Sequence, residues 1–290
     1  MDLYDNVKLS YSRDRIVEFY FYTITVFPRE ESSVARMILT KMYGLLVLLD
    51  DTFDVRTTFE ESQMLGMAIQ RWDESAVSLL PEYLHMFYTK TLSNFNDIED
   101  ILEPSDKYRM AYVKKQLKLQ SNNNVQQAKW LCENCLPSFK EQIDMAVTVS
   151  GLHLMFLTTL MAAGQAVNDE AFMWAVDMPD ISHATAEIGK CKKDAASAVE
   201  CCMKEYNMTG EEAIAAVADM VEQAWRRINR ACIEMKRMLE PAAQCCLNLA
   251  RLTYGSDVKE LINLFFLKEA VWESSKANMA KPSKERRQQN

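Results

Sequence analysis

Apolar residues in this chain recur at three- and four-residue spacing almost from end to end, and that pattern decides the fold class. Leu84, Phe87, Tyr88, Leu92 and Phe95 form one stripe, and Met64, Leu65, Ala68, Ile69 and Trp72 form another. Side chains at such spacing share one helical face, so each stripe predicts a helix with a buried side. No alternating run of β-branched residues is long enough to build a sheet, and no repeat period stands out. Breakers are scarce, with seven Gly and seven Pro in 290 residues, well below the roughly 7% and 5% of average usage. Pro28, Pro81, Pro104, Pro137, Pro179 and Pro241 fall between stripes, where proline is tolerated. Thr58 with Glu61, and Thr209 with Glu212, read as capping boxes at two helix starts. The expected helices are 13–26, 33–54, 59–74, 81–95, 105–120, 124–135, 138–149, 152–164, 169–177, 180–206 with a break near 190, 210–239, 242–254 and 257–272. This is an all-α chain. One helical domain is expected over 1–272, followed over 273–290 by a polar, basic tail with almost nothing to bury and no expected order.

Charge narrows the partners. Asp plus Glu number 41 against 33 Lys plus Arg, for a formal charge of −8. A nucleic-acid binder should show a basic face, so that class is disfavoured, and an anionic ligand must be captured by local cations. Met1 is followed by Asp2, Asp5 and Lys8 rather than by an apolar leader. Apolar runs such as Gly44 to Leu49 fall short of the roughly 18 residues of a membrane span. A cytoplasmic, monomeric protein is expected. Cys132-Glu133-Asn134-Cys135 has zinc-like spacing, but no second pair completes a site. Cys201, Cys202, Cys245 and Cys246 read as small core residues, and His85, His153 and His183 as scattered.

The segment with the most chemistry is Met42 to Asp54, MYGLLVLLDDTFD. An apolar helix ends there in Asp50, Asp51 and Asp54. Carboxylates at a helix C-terminus face the negative end of the macrodipole, at a cost of roughly 0.3–1 kcal/mol each. Asp50 and Asp54 share a face, and Asp51 lies beside Asp54. Such a cluster calls for a compensating cation, and hard oxygen donors suit Mg²⁺.

The Asp50-Asp51-Thr52-Phe53-Asp54 string resembles the aspartate-rich motif of class I terpene synthases. Ser12-Arg13-Asp14-Arg15-Ile16-Val17-Glu18 is similar to the arginine motif of the plant family. Ala68-Ile69-Gln70-Arg71-Trp72-Asp73 and Ser197-Ala198-Val199-Glu200-Cys201-Cys202-Met203-Lys204 also resemble stretches of plant sesquiterpene synthases. The likeness is collinear from about Leu3 to Phe266. It implies an isoprenoid synthase fold, a single helical domain around a central cavity, acting on an isoprenoid diphosphate: farnesyl diphosphate first, geranyl diphosphate second. It also implies that Asp50 and Asp54 hold Mg²⁺ (or Mn²⁺) against the diphosphate, that Asp51 orients or balances them, and that Arg13 and Arg15 reach the diphosphate from the entry of the first helix. Phe19, Tyr20, Phe21 and Tyr22 follow, with aromatic faces of the kind that stabilise a carbocation; core packing is the competing role, and at least two must have it.

Three departures from that family are legible. The second metal motif, (N/D)Dxx(S/T)xxxE, is missing where Ala186 to Asp194 runs straight into the Ala195–Met203 stretch. Asp180, His183 and Glu187 mimic part of it, and Asn168-Asp169 less of it. The loop around Tyr254-Gly255-Ser256-Asp257 is shorter than the family's lid. Finally, the sequence opens inside the catalytic domain, so the N-terminal helical domain of plant relatives is expected to be absent. The reading is a magnesium-dependent terpene synthase domain with impaired turnover, or a non-catalytic relative that binds diphosphates.

Overall fold

A computed structural model of the chain describes residues 15–177, 180–193, 195–234 and 240–254. Among them are twelve α-helices and no strand. These are α1 (Ile16–Val26), α2 (Ser33–Asp51), α3 (Phe59–Arg71), α4 (Glu82–Ile101), α5 (Arg109–Cys132), α6 (Phe139–Val149), α7 (Leu152–Ala162), α8 (Asp169–Val176), α9 (Asp180–Lys193), α10 (Ala195–Tyr206), α11 (Gly210–Glu234) and α12 (Glu240–Tyr254). A π turn, Thr52–Arg56, continues α2. The helix expected over 257–272, the tail and Arg13 lie outside the described residues.

The sequence of α7 explains its place. Leu-His-Leu-Met-Phe-Leu-Thr-Thr-Leu-Met is apolar on every side, which demands a buried helix. Every residue from Leu152 to Met161 is indeed buried. Helices α2, α5, α6, α8, α9 and α12 pack around it. Its two hydroxyls are satisfied within the helix, Thr158 donating to the Leu154 carbonyl and Thr159 to that of Met155.

Both expected capping boxes form, Thr58 with Glu61 and Thr209 with Glu212, and Ser138 with Glu141 makes a third. Two expectations need correction. The helices read as 105–120 and 124–135 are one helix, α5. Ser121-Asn122-Asn123-Asn124 is poor helix sequence, but Gln120, Ser121 and Asn124 are buried, and burial outweighs a propensity penalty of a few tenths of a kcal/mol per residue. The second correction concerns apolar length. Glu30–Arg56 and Phe139–Ala162 are long and apolar enough to cross a membrane by length and composition, yet 61% and 78% of their 18-residue apolar windows is buried in the fold. They are core helices. The second is broken by Gly151, whose φ is +68°, and a Cβ there would stand 2.5 Å from Leu46 Cδ2. Only glycine allows both the left-handed backbone and that approach.

Arg109, at the start of α5, is 2% exposed. Its guanidinium donates to the carbonyls of Gly164 at 3.2 Å and Val167 at 2.9 Å, and pairs with Asp106 at 3.5 Å and Asp169 at 3.0 Å. It therefore ties α5 to the turn after α7 and to α8.

His153 and Ser182 join the first turns of α7 and α9, with 3.1 Å between Nδ1 and Oγ. Burial pushes the imidazole pKa down to about 4 from an ordinary 6.5. Above pH 6.5 the ring is neutral in both states and contributes no pH dependence. Between 6.5 and 4 the unfolded chain binds the extra proton, so stability falls with pH by up to about 3 kcal/mol. His183, raised by its hydrogen bond to Glu187, acts oppositely: its contribution is present below 6.5 and lost as pH rises through the raised value. Urea midpoints from pH 7 to 4.5 should therefore drop in the native chain and drop much less in His153→Gln. An unchanged acid limb in that variant would remove His153 as the cause.

Candidate active site at the end of α2

The end of α2 is anchored from one side. Thr52 is buried and donates to the Leu48 carbonyl at 2.6 Å, while Phe53 joins the core. The Thr57 amide donates to the Thr52 carbonyl at 3.0 Å, the five-residue bond that makes the π turn. The Thr57 and Ser62 hydroxyls meet at 2.8 Å, and the Arg56 guanidinium lies 4.7 Å from the Tyr83 ring. With Thr52 and Phe53 turned inward, Asp50 and Asp51 are half-buried and Asp54 is exposed. The helix was expected to end at Asp54. Single π turns are rare and concentrate at functional sites.

A ladder of contacts sets α1 antiparallel to α2. Arg36 donates to the Phe27 carbonyl, Thr23 and Thr40 hydroxyls stand 3.5 Å apart, and Phe19 stacks on Tyr43 at 5.9 Å. One turn further on, the ladder reaches Arg15, at the N-cap of α1, on the same end of the bundle as Asp50. Arg15 Nε donates to Glu18 Oε2 at 2.8 Å, and its guanidinium lies 5.9 Å from the Phe19 ring. Of the four aromatics, Phe19 is core, Tyr20 is exposed, and Phe21 and Tyr22 are half-buried.

The candidates for a second metal wall are differently engaged. Asp180, His183 and Glu187 do share a face of α9. There Arg227 of α11 donates to Asp180 Oδ1 at 3.2 Å and to Glu187 Oε2, and His183 Nδ1 lies 2.9 Å from Glu187 Oε1. Arg227 was not singled out from sequence, because nothing local to α11 signals what it meets on α9. Asp169 likewise serves Arg109 and Tyr108, the latter donating at 2.7 Å. The hydrogen bonds from these two hold its carboxyl below the usual range.

The chemistry of the donors at the end of α2 fits a hard divalent metal. Among the described residues no three His, Cys, Asp or Glu side chains gather into a metal cluster. Mg²⁺ seldom needs one, because it binds through one or two carboxylates with waters and substrate phosphates completing its shell. Asp50 and Asp54 are a pair of hard oxygen donors of that class, and Asp180 and Glu187 pair with the Arg227 guanidinium. The zinc-like Cys132 and Cys135 are exposed and complete no cluster, while burial lifts the thiols of Cys245 and Cys246 to about 12.

This arrangement has relatives. Residues 1–227 match the terpene synthase family, metal binding domain. The chain belongs to that family. It is 43% identical to eudesmanediol synthase of Zea mays over 93% of its own length and 53% of that protein's. With tau-cadinol synthase of Zea mays it shares 39% over 92% of this chain and 53% of that one. The chain thus spans about half the length of the curated relatives it matches. Isoprene synthase from grey poplar, solved with three Mg²⁺ ions and dimethylallyl-S-thiolodiphosphate, superimposes with a TM-score of 0.81 at 23% identity over 91% of this chain and 55% of that one. The fold is the isoprenoid synthase fold.

Proposed function

We propose that this chain is a magnesium-dependent terpene synthase domain that binds farnesyl diphosphate and turns it over far more slowly than its relatives. The observation that carries the reading is the pairing of Arg227 with Asp180 and Glu187, the residues of α9 that mimic the second metal motif. Members of this family use divalent metal and isoprenoid diphosphates. A relative from Santalum murrayanum, 31% identical, is named a probable sesquiterpene synthase, which favours the farnesyl chain length. When bound, the metal would stabilise charge gathering on the diphosphate as it leaves. For their part, Asp50 and Asp54 would fix that metal, Arg15 would face the diphosphate from the same end of the bundle, and Phe19 would keep α1 seated on α2. A diphosphate held on one side loses interactions that exist chiefly in the transition state, and each typically contributes about 10²–10³ in rate. The Arg227 pairing favours a second reading, a diphosphate-binding relative with no turnover at all.

The test is incubation of purified chain with Mg²⁺ and farnesyl diphosphate, followed by analysis of extracted volatiles against an Asp50→Ala blank. Trace terpene above the blank, with measurable Mg²⁺-dependent binding, is the expected result. Cyclic product at the rate of an intact relative would overturn the impairment, and no binding at all would overturn the site.

A further inference from the structure

The buried stripe of α5 changes character halfway along. Met110, Val113 and Leu117 are apolar members of the main core. One turn on, the same stripe continues as Gln120, Ser121 and Asn124, which are 1%, 0% and 3% exposed. Three of their polar atoms, Gln120 Oε1, Ser121 Oγ and Asn124 Nδ2, are buried with no hydrogen-bond partner among the described residues. Buried polar atoms in folded proteins are almost always satisfied, by protein or by ordered water, and leaving one unmade costs about 1–3 kcal/mol. Three orphans within one helical turn therefore point to something that binds between them.

The atoms specify what it is. Gln120 Oε1 only accepts, Asn124 Nδ2 only donates, and Ser121 Oγ does either. A hydroxyl oxygen is the partner that both gives and takes a hydrogen bond, and buried waters typically make about three. The amide of Gln120 is steadied from the other side, Nε2 donating to the Val149 carbonyl at 3.4 Å beside the α6–α7 break. Position along the bundle matters too. Helix α3 runs antiparallel to α5: Gln70 donates to the Lys118 carbonyl, and a Cβ on Gly66 would meet Val125. Following α3 back toward its start leads to the π turn of Asp54, which α5 also touches. The polar step thus sits between the apolar core and the aspartate end.

We infer that Gln120, Ser121 and Asn124 form a buried site for one hydroxyl oxygen, supplied by an internal water or by an isoprenoid alcohol. The alcohol source rests on the isoprenoid reading above; the water source stands without it. The test uses no metal and no diphosphate, so its failure is separate from failure of the proposed function. The wild-type chain is crystallised, and its thermal midpoint is measured with farnesol and with farnesene, a hydrocarbon of equal carbon number. Density for a water bonded to Gln120 and Asn124, with no preference for farnesol, identifies the water source. A larger shift with farnesol than with farnesene identifies the alcohol. In that case Ser121→Ala/Asn124→Leu should weaken farnesol binding about tenfold, the loss of two ordinary hydrogen bonds, with farnesene unaffected. If the double variant does not fold, Ser121→Ala alone carries the comparison. A dry site with equal responses to both probes overturns the inference. So does a double variant more stable than wild type with unchanged farnesol binding.

Discussion

Arg109→Met is expected to remove about 3–5 kcal/mol of folding stability, the usual cost of breaking a buried ion pair from one side. That is a large share of the roughly 5–15 kcal/mol that holds a typical domain together. The magnitude follows from what is left behind. Asp106 is 5% exposed and would keep a carboxylate without its guanidinium. The carbonyls of Gly164 and Val167 would lose their donor, and the face of Phe172, 5.0 Å from the guanidinium carbon, would lose its cation. Asp169 matters less, because at 76% side-chain exposure water replaces the partner. Chemical denaturation of the single variant measures the loss. Asp106→Asn/Arg109→Met should recover part of it, since the uncompensated charge is then gone. A single-variant loss below about 1 kcal/mol would show the network to be ornamental.

Arg109 also marks the limit of what the sequence discloses. Its neighbours Tyr108 and Met110 sit in an ordinary amphipathic stripe, and nothing nearby announces that carbonyls more than fifty residues away will converge on it. What is local was legible. The stripes gave α3 and α4, Thr58 and Thr209 gave two helix starts, and the apolar run ending in Asp50 gave the aspartate end of α2. What depends on distant packing was not. The continuity of α5 through Ser121 and Asn124 rests on their burial against other helices, and the π turn rests on Thr57 meeting Ser62 and Arg56 meeting Tyr83. The pairing of Arg227 with Asp180 and Glu187 rests on how α11 crosses α9. The resemblance to terpene synthases singled out Asp50, Asp54 and Arg15 as candidates. The ladder of Phe27, Thr23 and Phe19 against Arg36, Thr40 and Tyr43 accounts physically for why Arg15 lies at the same end of the bundle as Asp50.

Replacing both Asp50 and Asp54 by Asn should abolish Mg²⁺-dependent binding of farnesyl diphosphate. That expectation follows from donor chemistry. An amide oxygen carries no charge, and a metal shared with a diphosphate depends on anionic ligands that its waters cannot replace. If the native chain shows residual turnover, the variant should lose about 10²–10³ of it, the scale of one preorganised electrostatic interaction. Asp50 lies in the last turn of α2 and Asp54 follows within the π turn, so the pair of substitutions removes both anionic donors from one helix end. Titration calorimetry with and without Mg²⁺ reads the loss. Arg227→Gln is the contrasting case, because removing it strands Glu187, 7% exposed, without its partner. Stability should fall there while Mg²⁺-dependent binding at Asp50 and Asp54 persists. Binding that survives in the double Asn variant, or vanishes in Arg227→Gln alone, would move the metal from the end of α2 to the face of α9.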